Sequence, residues 1–341
     1  MKINSSDIVI SNNVINCLTV IDRFNENWPK FKEKINENLN VLKTNAQLKS
    51  IGAATRITGA VMTDFEIELF FKNKQDQTIF TKDQQLCLGY KACLLNISKV
   101  YKEKRLTETG IKTIHNDLFR YHLNSQTVAQ PYRTKRDKNY DDLDFTSNTK
   151  QILPLEMRKS IEKLVFWFDS TTDIHFLIKL ALFIVHLLAI HPFKEGNEKV
   201  SFLLTNYLMQ TQTYEFIQYW SLESVIEQHR IKYYRALAQT QASFKTNKID
   251  YKPWLDFFFY AIKTQIKLLK KKEKQLSPMI NQTQKMILDY AEKVPFFTIN
   301  DLVDNLRINQ KKISVNLTKL LDLYFIKKEF VGDMILYKKK Y

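Results

Sequence analysis

The stretch from Ile174 to Ile190 constrains this chain most: it is apolar almost throughout, broken only by His175, Lys179 and His186, and it ends directly on His191-Pro192. Such a run needs apolar cover on nearly every side. It is expected as a helix buried in a helical body and not as a membrane span, because a lysine and two histidines are costly inside a bilayer. Composition agrees. Only 6 glycines and 7 prolines occur in 341 residues, too few for the turns of a sheet-rich sandwich, and the 44% hydrophobic residues can fill a core. The sequence predicts a mainly α protein.

Patterning along the chain divides it into an N-terminal helical region (residues 1–100), a central core (101–275) and a C-terminal module (276–341). Between Trp28 and Ile51 the apolar positions Phe31, Ile35, Leu39, Leu42 and Leu48 recur at helical spacing, with a break expected at Gly52. Thr63-Asp64-Phe65-Glu66 offers an N-cap with an acidic first turn, and helices are expected over 83–100 and 110–123. Asn124 to Gln151 is polar and long enough for a functional loop or hairpin. Further helices are expected from Pro154 to about Phe168 and over 172–190, 196–211, 221–241 and 250–273, before the charged linker Lys270 to Lys274. Helical patterns over 281–292, 299–306 and 308–322 then precede an alternating stretch, Phe325 to Tyr337, with Gly332-Asp333 at its turn. That is the order of a winged helix-turn-helix.

The formal charge is +16, but the lysines are scattered, and a general bias towards Lys, Asn and Ile accounts for it as readily as an anionic partner does. Residues 281 to 341 hold 11 basic and 7 acidic residues, with Lys311 and Lys312 on the third helix and Lys338 to Lys340 after the hairpin. DNA contact and protein contact through this module both stay open. Cys17, Cys87 and Cys93 have neither zinc-ligand nor paired-disulfide spacing, which fits buried thiols in a reducing cytoplasm. The N-terminal MKINSSDIVISNN lacks the apolar core of a signal peptide.

With glycine so scarce, Gly196 is informative. A buried helix that stops at His191, turns at Gly196 and resumes through Phe202-Leu203-Leu204 presents backbone N–H groups at a helix N-terminus, a ready anion site. His191 can serve there as a general base, Glu195 can ligate a divalent cation, and Asn197 and Lys199 can contact phosphate. A helix-loop-helix with a satisfied histidine and solvated charges fits the same residues.

The run His191-Pro192-Phe193-Lys194-Glu195-Gly196-Asn197-Glu198-Lys199 resembles the signature of the Fic family. Two other segments support it in the right order. WSLESVIEQHRIKYYRALAQTQ with YKPWLDFFFYAIKTQ resembles the stretch that follows the signature in bacterial Fic proteins, and SIGAATRITGAVMTDFEIE resembles their inhibitory helix. The resemblance covers most of residues 40 to 275 and implies a helical Fic fold with a β-hairpin flap. It further implies transfer of AMP from ATP to a Ser, Thr or Tyr hydroxyl of a protein target, with Mg²⁺ or Mn²⁺. His191 would be the catalytic base and Glu195 the metal ligand, with Gly196, Asn197, Glu198 and Lys199 around the nucleotide phosphates. Phe193 would anchor the loop, and Tyr233 and Gln241 would line the adenine and ribose pocket. Tyr132 and Arg133 would begin the flap that holds the target by strand addition. Ordinary helix packing and a plain polar loop are the alternatives for these last four. A cytoplasmic protein without membrane contact follows, and a homodimer is left open.

Four positions depart from the family pattern. Glu198 stands at the second glycine, Lys199 at the first arginine, Phe202 at the second arginine, and Thr58 at the inhibitory glutamate. Glu198 brings negative charge towards a triphosphate, Lys199 lacks the planar fork of arginine, and Phe202 removes a cation. Glu198 reads as a disabling change, which the altered start of the flap also supports, as an inhibitor within the motif, or as a metal ligand that shifts nucleotide preference. Gln130-Pro131 also stands where relatives often carry a glycine before the aromatic-basic pair. The expected function is therefore a protein adenylyltransferase with weakened or altered nucleotide use. Its rivals are an impaired scaffold acting through residues 281–341 and a transferase of another phosphate-containing group.

Overall fold

The computed structural model describes residues 3, 8–73, 80–97, 105–122, 132–133, 154–246, 248–276, 281–322, 325–331 and 334–339. Its helices are α1 (Asn12–Glu26), α2 (Trp28–Lys34), α3 (Leu39–Ile57), α4 (Asp64–Asn73), α5 (Lys82–Ile97), α6 (Glu108–Phe119), α7 (Pro154–Ser170), α8 (Phe176–Ile190), α9 (Asn197–Thr211), α10 (Leu222–Gln228), α11 (Arg230–Ser243) and α12 (Lys252–Leu276). After them come α13 (Gln282–Ala291), α14 (Ile299–Leu306), α15 (Gln310–Asp322) and an antiparallel hairpin of β1 (Ile326–Val331) and β2 (Met334–Lys339). The mainly α fold read from composition is the fold observed. The chain divides into two compact units, residues 1–30 with 40–269, and residues 31–39 with 270–341.

Helix α8 is the axis of the first unit. It packs against α7, α9 and α11, and every residue from Leu177 to Ile190 except Lys179 is buried. Each polar group in this apolar run has its own solution. Lys179 reaches the Thr171 carbonyl at 2.8 Å across the Phe168 ring, which keeps its ammonium at the end of the helix. His186 is wholly buried; it pairs with the Tyr251 hydroxyl at 2.9 Å, stacks on Phe244 and, desolvated, has its pKa pushed down to about 3. Among the described residues no helix is long and apolar enough to cross a membrane. The three cysteines are free and buried.

Three boundaries differ from expectation. The charged stretch Lys270 to Lys274, expected as a linker, is helical, because α12 runs on to Leu276. Helix α3 runs straight through Gly52, where a break was expected, because the missing side chain makes room for a neighbour: a Cβ there would lie 2.3 Å from Asp64 Oδ1, which pairs with Arg56. The interruption comes instead at the 3₁₀ turn Asn36–Asn38. The helix expected over 221–241 is two helices, α10 and α11, joined at His229, whose Nδ1 donates to the Val225 carbonyl at 2.9 Å and whose Nε2 pairs with the Tyr260 hydroxyl at 2.9 Å. The polar segment 124–151 lies outside the described residues apart from Tyr132 and Arg133, as do 277–280 and the hairpin turn at 332–333.

In the second unit α13 and α14 each begin with a reciprocal capping box, Asn281 with Gln284 and Thr298 with Asp301. Ile287, Phe297, Leu302, Ile313, Leu317, Leu320, Ile326 and Tyr337 form its core. A backbone bridge from Phe297 to Tyr337 joins the loop before α14 to β2.

Candidate active site

The site begins where α8 stops. His191 takes the left-handed conformation (φ 49°, ψ 62°) and donates its N–H back to the Leu187 carbonyl at 3.0 Å, and Pro192 cannot continue the helix. Four residues on, Gly196 (φ 85°) turns the chain into α9. A Cβ there would lie 2.7 Å from the Phe119 ring, so both conformation and space demand glycine. Asn197 locks the turn with two bonds to one residue: its Oδ1 accepts from Phe193 N at 2.9 Å and its Nδ2 donates to the Phe193 carbonyl at 2.7 Å. The Asn197 side chain is thus committed within the loop, and an anion here would meet backbone N–H groups. Those of the first turn of α9 have no intrahelical acceptor, and Gly196 provides no side-chain cap.

Phe193 anchors the loop from below. It is buried, stacked on His115 of α6 at 3.9 Å and on Tyr132 at 5.8 Å. The His115 Nε2–H donates to the Glu195 carbonyl at 3.1 Å, and burial pushes its pKa down to about 4. Arg133 is pinned onto the same loop, its N–H on the Pro192 carbonyl and its Nε on the His191 carbonyl, both at 2.9 Å. Tyr132 is held by Glu108 through its hydroxyl. These two residues grip the motif loop; the flap expected to follow them lies outside the described residues.

A cavity of about 840 Å³ opens beside the loop, within the size range of small-molecule sites. His191, Glu195, Gly196, Asn197, Glu198, Lys199, Gln241 and Thr58 all line it, drawn from the loop, α9, α11 and the residue after α3. Tyr233 does not. It packs in the interior against Phe202, Trp254 and Phe257, and its neighbour Tyr234 faces the cavity instead. The reason is rotation along α11: Tyr233, Ala236, Leu237 and Thr240 form the buried stripe, so Arg230 and Tyr234, one turn apart, share another face. Sequence reasoning missed Arg230, Tyr234, Lys82 and Lys194 as lining residues. The buried stripe of α11, read with its start at Arg230, would have separated the two tyrosines.

The charges of the cavity are arranged in detail. Burial of the imidazole, with the Arg133 guanidinium nearby, pushes the His191 pKa down to about 3, so the ring is neutral at neutral pH. Lys199 is buried, its pKa lowered to about 8 by desolvation, and its ammonium donates to the Thr58 hydroxyl. Thr58 follows the C-terminus of α3, where the helix dipole favours a cation. The Glu198 carboxylate accepts from the Tyr234 hydroxyl at 3.3 Å, and burial raises its pKa. Glu195 is half-exposed with Lys82 at 3.8 Å. Phe202 lies in the core, where a cation would have no solvent. The Gln241 side chain is almost fully buried, and its Oε1 has no hydrogen-bond partner among the described residues.

No cluster of three or more His, Cys, Asp or Glu side chains that could hold a metal occurs among the described residues. Mg²⁺ needs none when substrate phosphates complete its shell, and one carboxylate opening into the cavity, Glu195, has the right donor chemistry.

Residues 105–209 match the model of the Fic/DOC family. The chain carries a Fic domain. Its fold is similar to that of a Fic family protein from Desulfovibrio desulfuricans, at 16% identity and a TM-score of 0.65 over 98% of each chain. A Fic domain containing signaling protein from Bacteroides thetaiotaomicron matches at 17% identity and a TM-score of 0.59, over 75% of this chain and 97% of that one. Fic-1 from C. elegans matches at 15% identity and a TM-score of 0.57, over 77% of this chain and 76% of that one. At these identities the likeness is one of fold. No curated protein sequence matches the chain. The Fic domain makes a Fic-type transferase the general class, and it contains the loop from His191 to Asn197 together with α9 as far as Met209.

Proposed function

We propose that this Fic domain transfers AMP from ATP to a Ser, Thr or Tyr hydroxyl of a protein target. The observation that carries the proposal is the His191 imidazole on the wall of a nucleotide-sized cavity that shares its lining with the N-terminal turn of α9. His191 takes the proton from the target hydroxyl as its oxygen attacks the α-phosphate; the bond to the leaving pyrophosphate breaks and AMP stays on the target. Backbone N–H groups at the start of α9 receive the phosphate charge without reorganisation, because Gly196 and the two Asn197 bonds have already set the turn. A divalent cation held by Glu195 and the phosphates would neutralise charge on the donor when bound. Arg133, bonded to the His191 carbonyl, holds the base in place.

The unpartnered Gln241 Oε1 supports a base at the other part of the site, since a buried acceptor gains most from a donor such as the adenine amino group. The test is labelling of a protein by α-³²P-ATP with Mg²⁺ or Mn²⁺. Labelling is expected in the wild type and not in His191→Ala. Absence of label with every nucleoside triphosphate, under conditions in which an active relative labels its target, overturns the proposal.

One observation favours a second reading. Glu198 in the cavity and Phe202 in the core leave fewer cations for a triphosphate than the family pattern provides, which supports a donor that carries another phosphate-containing group. Thermal shift across nucleotides and diphosphate-linked donors separates the two, because a ligand stabilises the state that binds it. The three helices and hairpin of the second unit suit a winged helix that contacts DNA or protein. Salt-dependent DNA binding that survives His191→Ala and is lost with residues 281–341 would assign it to DNA.

A further inference from the structure

Glu198 takes no part in the chemistry above, yet its carboxylate lines the cavity beside the turn of α9 that receives phosphate. It is held there. The Tyr234 hydroxyl lies 3.3 Å from the Glu198 carboxylate and 3.3 Å from the Ile57 carbonyl, so α3, α9 and α11 meet at this side chain. Three of the cations that line the cavity have other contacts as well. Lys199 donates to Thr58, Arg230 lies over the Tyr234 ring at 5.6 Å, and Lys82 faces Glu195. Lys194 also lines the cavity, but Glu198 is the acidic side chain of the first turn of α9, so a phosphate received at that turn lies beside a resident negative charge. In a site withdrawn from water, like charges a few ångströms apart repel far more than they do in bulk.

We infer that Glu198 is a specificity determinant that ranks nucleotides by phosphate charge, disfavouring the triphosphate most and the monophosphate least. This rests on the nucleotide reading of the cavity but not on transfer, so binding alone tests it. A charge effect must grow with each phosphate, whereas a merely structural role for Glu198 would move all three nucleotides together.

The experiment is calorimetric titration of the full chain with AMP, ADP and ATP, each with Mg²⁺, in the wild type, Glu198→Gln and Glu198→Gly. Glu198→Gln keeps the shape and the hydrogen bond to Tyr234 but removes the charge; Glu198→Gly covers the case in which the glutamine variant does not fold. Removing the carboxylate is expected to tighten ATP about tenfold or more, ADP by less, and AMP hardly at all. Equal changes for the three nucleotides, no change, or weaker ATP binding would overturn the inference, as would failure of any nucleotide to bind wild type and folded variants alike. A graded gain with no labelling by α-³²P-ATP would leave this inference standing and remove the transfer proposal.

Discussion

The loop from His191 to Asn197 and the turns of α9 from Glu198 to Phe202 are neighbours in the chain, yet they are held in opposite ways. The loop is fixed by packing and by bonds to its own backbone: Phe193 is buried against His115, Asn197 closes on Phe193, and Arg133 bonds two of its carbonyls. The following turns are fixed by side chains that reach outward, Glu198 to α11, Lys199 to Thr58 and Phe202 into the core. The base is therefore set in a frame that needs no ligand and little charge, whereas on the phosphate side Glu198 and Lys199 are already bonded to other parts of the protein. Loop variants should break the fold and the activity together. Variants in the turns should tune affinity.

The sharpest way to break this contrast is Phe193→Ala. Emptying that buried position should cost about 3–5 kcal/mol and abolish labelling, as read by urea unfolding and by the α-³²P-ATP assay. A comparable loss of stability in Glu198→Ala would erase the distinction between the two regions.

Acid comes next. The folded pKa of His115, about 4, lies below its ordinary value near 6.5, so the unfolded chain binds the extra proton. Its contribution to stability is complete above pH 6.5 and falls as pH drops towards 4, by about 2 kcal/mol at pH 5. Unfolding at pH 7 and pH 5 should show a smaller acid loss in His115→Gln than in the wild type. Glu198 has the opposite sign: its raised folded pKa makes the native state bind the proton more readily, so its contribution worsens as pH rises.

Arg133→Ala should cost about 1–2 kcal/mol through the lost bond to the His191 carbonyl. It should also move the acid limb of the labelling rate upward, because the guanidinium helps to hold the imidazole pKa down, while burial keeps that limb below the ordinary histidine range. An unmoved limb would detach Arg133 from the base. The smallest effect is expected at Thr58→Val, which removes the acceptor for Lys199 and should cost about 1 kcal/mol of stability in a urea titration, with labelling retained.

By itself the sequence determined what depends on neighbours in the chain. The apolar run into His191, the glycine at 196 and the hairpin order are local signals, and the fold keeps them. The motif also brought the base, Glu195 and the start of α9 to one place, because a helix, a short loop and a helix leave little choice. Tertiary structure decided the rest. Gly52 sits within a helix because Asp64 and Arg56 lie against it, and His229 splits a helix by bonding on both sides of the junction. Which of two adjacent tyrosines faces the cavity depends on which stripe of α11 the core covers, and that put Tyr234 where Tyr233 was expected. The partners of Glu198 and Lys199 come from residues 36 and 141 positions away, a distance over which spacing carries no information. Long-range polar contacts arise only when packing brings the helices together, so the chemistry of the base was legible in the chain and the electrostatics of its neighbour were not.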